Sequence, residues 1–423
     1  MTPPASVLDL GRAFKHRDYR LFFGGQLVSL IGTWIQMTAQ SWLVYRLSGS
    51  AEYLGLAGFA SQGPVFLFAQ LGGAIADRHD RRRILVATQV ASMIWALILA
   101  ALTLNDAVKL WEVFALAGLT GLTNAFDIPA RQSFVIEMVG RADLQNAIAL
   151  NSSMFNLARL IGPAVAGVIV AWVGEGWCFL LNGISFLMVI AGLLAMRRPP
   201  FVAPPRTDSL IAEMRQGLTY ALTTRPIRAV LALVGLMSLM GMPYTILMPI
   251  FANRILQGGP QHLGGLMSAA GFGAFLAALA LAGRKSLAGI ETRIARAVMG
   301  FGLCLVLFAL SENFLLSLAC LILVGFSQMT HMASSNTLVQ SMVPDAYRGR
   351  VMALYSMMFM GMAPFGALLA GLLAGWTGAP VTVMIGAAIC ILGGISFLVL
   401  LPHLRPGMAR LIAEGEAAAE RRP

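Results

Sequence analysis

The stretch Gly73-Ala-Ile-Ala-Asp77-Arg78-His79-Asp80-Arg81-Arg82-Arg83 joins two long apolar blocks, Tyr53–Ala76 and Ile84–Leu104. A membrane-spanning helix needs about 20 apolar residues, and both blocks are close to that length. Clustered arginines are typical of the cytoplasmic loops of membrane proteins. The stretch therefore predicts a short cytoplasmic loop between two transmembrane helices.

The rest of the chain repeats this alternation of apolar blocks and charged loops. Of its 423 residues, 58% are hydrophobic and 12% are charged, against roughly 25% charged in soluble domains. A soluble fold could not bury so many apolar side chains, because its own surface must be largely polar. We therefore expect an all-α membrane protein surrounded by the lipid bilayer. The twelve predicted helices have the approximate bounds Leu21–Leu47, Tyr53–Ala76, Ile84–Leu104, Leu110–Ile128, Leu144–Val173, Trp177–Met196, Ala229–Ala252, Leu263–Gly283, Ile294–Leu310, Leu315–Thr337, Val351–Trp376 and Pro380–Leu401.

The distribution of positive charge predicts the orientation. With the N-terminus placed in the cytoplasm, 26 of the 30 lysines and arginines fall in cytoplasmic segments. The outer loops then hold Arg46, Lys109 and Arg254, and Arg159 lies inside a helix. This asymmetry predicts a multi-pass protein of the cytoplasmic membrane with both termini in the cytoplasm. It also explains the net charge of +11 without a nucleic-acid partner, because a nucleic-acid binder needs its basic residues on one water-facing surface.

An internal repeat indicates two related halves. A shift of 204 residues aligns Met138-Val139 with Met342-Val343 and Gly162 with Gly366. Two pseudo-symmetric six-helix bundles related by duplication place a binding site at their interface near the midplane. The predicted segments are an N-terminal half at 1–196, a cytoplasmic linker at 197–228, a C-terminal half at 229–401 and a cytoplasmic tail at 402–423.

The linker has a helical pattern of its own. Apolar residues recur every four positions at Leu210, Met214, Leu218 and Leu222, after a candidate N-cap at Thr207–Ser209. This spacing predicts a short amphipathic helix on the inner membrane surface. A plain linker that is periodic by chance is the alternative.

The opening stretch resembles the signature loop of the major facilitator superfamily, G-x-L-A-D-r-x-G-r-[KR]. It matches at Gly73, Ala76, Asp77, Arg78, Arg81 and Arg82, and departs at Ile75 and Asp80. The resemblance implies the major facilitator fold and a conformational gate. In that gate, Asp77 and the arginines hold the cytoplasmic side shut through charged hydrogen bonds and release it for inward opening. The alternative is that the arginines only determine topology, which is sufficient for Arg83.

The predicted fifth helix carries a second motif, Gly162-Pro163-Ala-Val-Ala-Gly167. A Gly-Pro pair tends to kink a membrane helix and frees backbone groups. The pattern resembles the G-P-x-x-G-G element of drug–proton antiporters, with Ala166 in place of one closing glycine. A packing kink of the kind common to many membrane helices is the alternative.

Ionisable residues inside the predicted helices are candidates for substrate binding or proton coupling. Arg159 is consistent with an anionic-substrate contact, a proton-coupling partner or a structural ion pair. Asp127 and Arg131 are four residues apart and share a helix face, so Asp127 is either a proton carrier or a static partner of Arg131. His331 aligns with Asp127 at the 204-residue shift, and is either a second titrating group or a hydrogen-bonded core residue.

The predicted first helix carries a polar stripe of Gln26, Thr33, Gln36 and Gln40 on one face. The stripe indicates the wall of a water-filled cavity, with Gln36 and Gln40 as candidate substrate contacts. Interhelical hydrogen bonding is the alternative.

Two further stretches are similar to the enterobactin-exporter and macrolide-efflux branch of the superfamily: Phe14-Lys-His-Arg-Asp18-Tyr-Arg20-Leu-Phe-Phe and Asp127-x-Pro-Ala-Arg131-Gln132-Ser-Phe. The resemblance implies proton-driven export of small organic molecules from a bacterial cytoplasm. We expect no cofactor, metal or catalytic residues, because no Walker A motif, metal-ligand spacing or nucleophile–base arrangement is evident. The expected oligomeric state is a monomer. The alternatives are an importer of a nutrient or lysophospholipid, and a non-transporting sensor or scaffold.

Overall fold

The computed structural model describes residues 7–196, 210–282 and 287–420, which form helices joined by short loops, with no β-strand among them. Ten helices in these ranges are long and apolar enough to cross a membrane. One of them, Leu110–Val173, contains two predicted spans, and the more polar Arg17–Ser48 is not among the ten. The described residues therefore contain the twelve predicted transmembrane helices, and the all-α fold class is confirmed.

We number the helices in chain order. The first five are α1 (Arg17–Ser48), α2 (Ala51–Arg78), α3 (Arg81–Leu104), α4 (Leu110–Val173) and α5 (Glu175–Ala195). The linker contains α6 (Leu210–Thr223). The remainder are α7 (Arg225–Ile255), α8 (Pro260–Ala282), α9 (Ile290–Ala309), α10 (Phe314–Met342), α11 (Asp345–Gly361 and Ala363–Thr377) and α12 (Ala379–Glu420).

Helix α4 has 64 residues and is broken at Gly140. A straight helix of that length would measure about 96 Å at 1.5 Å per residue, roughly three times the hydrocarbon thickness. Gly140 has φ 70° and ψ 174°, a conformation that glycine adopts without steric cost. The break divides α4 into two arms, residues 110–139 and 141–173, which are the predicted fourth and fifth helices.

Two helices run further than their sequences suggest. Helix α7 contains π-helical turns at Met237–Gly241 and Phe251–Ile255, which accommodate its internal prolines within one span. Helix α12 continues through Pro402 and Pro406 to Glu420, although the sequence predicts an end at Leu401. Neighbouring helices and local adjustments can satisfy the backbone groups that a proline leaves free.

The described chain forms two compact units. Unit 1 comprises Met1–Pro205 and Ala252–Ser268, and unit 2 comprises Arg206–Phe251 and Ala269–Pro423. The segment Ala252–Ser268 belongs to unit 1 because a Cβ at Gly264 would lie only 2.4 Å from the Pro163 carbonyl oxygen. Only a glycine permits so close an approach of two backbones.

The core of unit 1 includes an aromatic and aliphatic cluster around Tyr19, Phe22, Phe134 and Leu193. The Tyr19 hydroxyl donates to the Ala147 carbonyl oxygen at 3.1 Å. This cluster packs α1 against α4 and α5.

Helix α6 packs on α11 within unit 2. The rings of Tyr220 and Tyr347 are stacked with centroids 4.6 Å apart, and Arg350 donates to the Gln216 side chain at 2.8 Å. Burial raises the pKa of the Tyr220 hydroxyl, so this ring stays neutral. Leu218 and Leu222 are exposed. The predicted N-cap residues Thr207–Ser209 lie outside the described residues.

Candidate functional site

Asp127 forms the centre of a buried polar cluster in unit 1. It lies on the first arm of α4 and is 1% exposed. Its carboxylate accepts hydrogen bonds from Thr88 Oγ1 at 2.9 Å and Gln89 Nε2 at 2.8 Å, both on α3. Arg131, one turn further along α4, also donates to it. The structure therefore brings Asp127 and Arg131 together as their spacing predicts.

The cluster retains unused hydrogen-bonding capacity. Gln89 Oε1 and Arg131 Nε are buried and have no hydrogen-bond partner within the described part of the chain. Buried polar atoms without partners cost free energy. These two atoms are therefore available for a rearranged set of hydrogen bonds around Asp127.

Sequence reasoning missed Thr88 and Gln89. They are a polar pair within the apolar sequence of α3, which was the available signal. Their partner Asp127 is 39 and 38 residues away along the chain, so the pairing depends on the packing of α3 against α4. Close helix packing here also involves Gly72 of α2, since a Cβ at that position would lie 2.1 Å from the Ala125 carbonyl oxygen.

The predicted gate residues flank the short loop between α2 and α3, at the end of α2 and the beginning of α3. Arg81 makes an ion pair with Asp77 at 3.6 Å and donates through Nε to the Ala76 carbonyl oxygen at 3.1 Å. It also pairs with Glu137 at the end of the first arm of α4. Arg81 therefore connects the α2 end to α4. Sequence reasoning missed Glu137, which has no counterpart in the loop motif.

The other charged residues around this loop have distinct positions. Asp80, which replaces the motif glycine, is the N-cap of α3 and accepts from the Arg82 backbone N–H at 2.9 Å. Arg82 donates to the Leu194 carbonyl oxygen at 2.8 Å, at the end of α5. Arg78 is exposed, and Arg83 pairs only with Asp80 among the described residues, at 3.5 Å. The departure at Asp80 thus supplies a capping group in place of backbone freedom.

The glycines of the second arm of α4 are packing positions. A Cβ at Gly162 would lie 2.4 Å from the Trp34 Cβ on α1, and one at Gly167 would lie 2.8 Å from the Pro260 carbonyl oxygen. The non-helical residue in α4 is Gly140, and the backbone at Pro163 remains helical. This arrangement favours packing as the main role of the Gly162–Gly167 motif.

Arg159 lies on the same arm and is partly exposed. It is not among the hydrogen-bond partners of Asp127 in the described chain. The structure therefore does not join these two charges into one cluster.

The polar stripe of α1 is partly engaged in interhelical contacts. Gln36 is buried and accepts from Asn182 Nδ2 on α5 at 2.7 Å. Gln26 is also buried, and Gln40 is partly exposed. For Gln36, the hydrogen bond to α5 gives a structural reason for an amide at this position.

His331 lies in unit 2 beside a small enclosed cavity. It is 4% exposed, its Nδ1 is 3.4 Å from Ser335 Oγ, and its Nε2 has no partner within the described residues. The cavity, about 10 Å³, is also lined by Ser238, Gln328 and Tyr355. That volume accommodates about one water molecule, which would satisfy the imidazole. His331 belongs to unit 2 and Asp127 to unit 1.

A family model described as "Transmembrane secretion effector" matches residues 12–413. The chain belongs to this family of the major facilitator superfamily. The membership makes the protein a multi-pass membrane transporter and not an enzyme. The major facilitator resemblance drawn from Gly73–Arg82 is confirmed.

Curated relatives of the transporter include three bacterial proteins. The chain is 27% identical to the Staphyloferrin A transporter of Staphylococcus aureus, covering 83% of this chain and 88% of that protein. It is 28% identical to the multidrug efflux pump Tap of Mycolicibacterium fortuitum, and the match covers 92% of this chain and 97% of that protein. It is 24% identical to the enterobactin exporter EntS of Escherichia coli K12, and the match covers 96% of this chain and 97% of that protein.

Solved transporters have the same fold at low sequence identity. A POT family transporter in complex with a thioalcohol-conjugated peptide superposes with a TM-score of 0.76 at 12% identity, covering 92% of this chain and 96% of that one. A bacterial homologue of the human lysosomal transporter Spinster superposes with a TM-score of 0.67 at 13% sequence identity, covering 96% of this chain and 98% of that one. These likenesses concern the fold alone.

Proposed function

We propose that the protein exports small organic molecules, drug-like or siderophore-like, from the cytoplasm across the bacterial inner membrane in exchange for protons. The relatives that are named as an efflux pump and an exporter support the direction. The observation that carries proton coupling is the buried Asp127 carboxylate with its three donors and adjacent unused polar atoms.

Asp127 is suited to take up and release a proton because its surroundings can serve both charge states. The ionised carboxylate accepts from Thr88, Gln89 and Arg131. After protonation, the new O–H needs an acceptor, and Gln89 Oε1 has no other partner in the described chain. Rotation of the Gln89 amide would present that oxygen to the acid. Arg131 would lose its counter-ion and become available to an anionic group of the cargo.

Arg81 would couple this change to the conformational gate. It connects the end of α2, through Asp77 and the Ala76 carbonyl, to Glu137 at the end of the arm that carries Asp127. A shift of that arm on proton uptake would alter the pairing of Arg81 with Glu137. Alternating access would then expose the cargo to each side of the membrane in turn.

The test is proton flux in everted membrane vesicles that contain the protein. The vesicles are first energised so that their lumen is acidic, and then challenged with a panel of macrolides, dyes and siderophores. Antiport predicts collapse of the acid-inside gradient by at least one compound, at a rate that increases with the amount of transporter. No collapse by any compound, with the protein verified in the membrane, would reject proton-coupled export of these compounds and favour uptake or lipid movement.

A further inference from the structure

An open cavity of about 620 Å³ lies in unit 2 between the beginning of α9 and the middle of α10. It is separate from the cavity beside His331, with which it shares no lining residue. Its polar and aromatic lining consists of Thr292, Arg293, Arg296, Phe326, Ser327 and Thr330. Helices α9 and α10 are in contact at the edge of the cavity, since a Cβ at Gly300 would lie 3.4 Å from Ser327 Oγ.

The two arginines of the cavity have no carboxylate partner among the described residues. Arg293 and Arg296 are three residues apart, so they lie on one face of α9. Neither forms an ion pair with a carboxylate in the described part of the chain. The neighbouring acid, Glu291, is already paired with Arg405 at 3.1 Å. Two arginines in one cavity, without an acidic partner in the described ranges, attract an anion.

Two hydroxyl groups add hydrogen-bond donors to this charge. Thr330 is 8% exposed, and its Oγ1 has no hydrogen-bond partner among the described residues. The Thr292 oxygen accepts from Arg405 Nη2 at 3.0 Å, and its own proton is not donated to any residue that the structure describes. Guanidinium groups together with hydroxyl donors match the several acceptor oxygens of a phosphate group.

We propose that this cavity binds a phosphate-bearing anion through Arg293, Arg296 and Thr330. The shared chemistry fits either the headgroup of an anionic lipid or a soluble phosphate. Phe326, 37% exposed at the cavity, provides an apolar surface next to the cations, which suits an acyl chain attached to a phosphate. The site does not depend on the transport mechanism assigned to Asp127.

Topology alone does not account for this arrangement. Positive charges that only determine orientation need to be near a cytoplasmic helix end, without any particular partner. Here the arginines share a cavity with Thr330, a buried hydroxyl contributed by a different helix. A buried hydroxyl without a partner is rare and costs free energy unless a ligand or water satisfies it.

Native mass spectrometry of the full-length, delipidated protein tests the site. Dioleoyl phosphatidylglycerol is the lipid probe, and dioleoylglycerol, with the same acyl chains and no phosphate, is its control. Inorganic phosphate, measured by calorimetry in lipid-free detergent, is the soluble probe. We expect at least tenfold weaker binding of the recognised probe by the Arg293→Gln/Arg296→Gln variant and several-fold weaker binding by Thr330→Val, which keeps the side-chain shape.

The matched control is Arg228→Gln/Arg410→Gln, which removes the same charge from unit 2 outside the cavity. These arginines bind the Leu222 carbonyl oxygen and Glu414, so the control should retain binding within about twofold. If the cavity variants weaken the binding of phosphatidylglycerol alone, the cavity is a lipid site. If they weaken the binding of inorganic phosphate, it is a soluble-anion site. If neither probe binds, or if control and cavity variants weaken binding equally, the proposal is wrong.

Discussion

Gly72 and Gly73 are adjacent but have different surroundings. A Cβ at Gly72 would lie 2.1 Å from the Ala125 carbonyl oxygen, whereas one at Gly73 would meet the Pro129 side chain at 3.9 Å, an ordinary contact. The motif glycine, Gly73, is therefore not the residue that allows α2 to approach α4. Gly72 has that role. It lets α2 contact the α4 backbone at Ala125, two residues before Asp127.

Gly72→Ala is therefore predicted to be destabilising and Gly73→Ala is not. The added methyl group at residue 72 would force α2 and α4 apart, and overpacking of this kind costs about 1–3 kcal/mol. Thermal unfolding of both variants in the same detergent measures the difference. Equal unfolding temperatures for the two variants would contradict the role of Gly72 in the packing of α2 against α4.

The Asp127 cluster shows which residue contacts can be inferred from sequence. Arg131 was predicted as a partner because helical geometry fixes the spacing of residues four apart. Thr88 and Gln89 were not, because their contact depends on how α3 packs against α4. Glu137 was missed for the same reason, since Arg81 is 56 residues away along the chain.

At the level of elements, the loop between α2 and α3 organises one end of unit 1. Arg81 contacts α2 and α4, Asp80 caps α3, and Arg82 donates to a carbonyl at the end of α5. Four helices thus meet around the two-residue loop His79–Asp80 and the first turn of α3. This arrangement supports the proposed role of the loop as a gate.

Arg81→Gln is predicted to lower the initial rate of transport by about tenfold, because it removes charged hydrogen bonds, each worth about 1.5–3 kcal/mol. Arg83→Gln is the matched control, since the Arg83 side chain is 89% exposed and pairs only with Asp80 in the described chain. Rates are normalised to the amount of protein in the membrane. Equal loss in both variants would indicate that the loop acts through its total charge.

Helix ends were the least predictable feature of the elements. Apolar block lengths predicted the spans, because the bilayer thickness fixes how many apolar residues a helix needs. The continuation of α12 through Pro402 and Pro406 was not predicted, since proline usually ends a helix. The junction at Gly140 also needed the structure, because one glycine in a polar connector does not specify a turn.

On the scale of the whole molecule, the charge distribution supports the proposed orientation. Two of the three basic residues predicted outside are engaged within unit 1: Arg46 pairs with Glu175 at 2.7 Å, and Arg254 donates to the Gly49 carbonyl oxygen at 2.8 Å. The Arg46–Glu175 ion pair neutralises one positive charge on that side, whereas Arg254 keeps its charge. The cytoplasmic placement of both termini follows from this asymmetry as a proposal.

Reporter fusions test the orientation. Alkaline phosphatase, which is active only outside the cytoplasm, is predicted to be active when fused after Asp106 or Gln257 and inactive when fused after His79. Fluorescent protein at the C-terminus is predicted to fluoresce. The opposite pattern of activity would indicate the reverse topology, and would place the proposed gate on the outer side of the membrane.

The most direct test of proton-coupled export is transport by Asp127→Asn in proteoliposomes with an imposed pH gradient. Wild-type protein should accumulate a recognised cargo against its concentration gradient. The variant should lose this uphill accumulation by at least tenfold while retaining down-gradient exchange, because the amide cannot carry the proton. Asp106→Asn, in an exposed loop between α3 and α4, is the control and should behave as wild type. Unchanged uphill accumulation by Asp127→Asn would contradict the account.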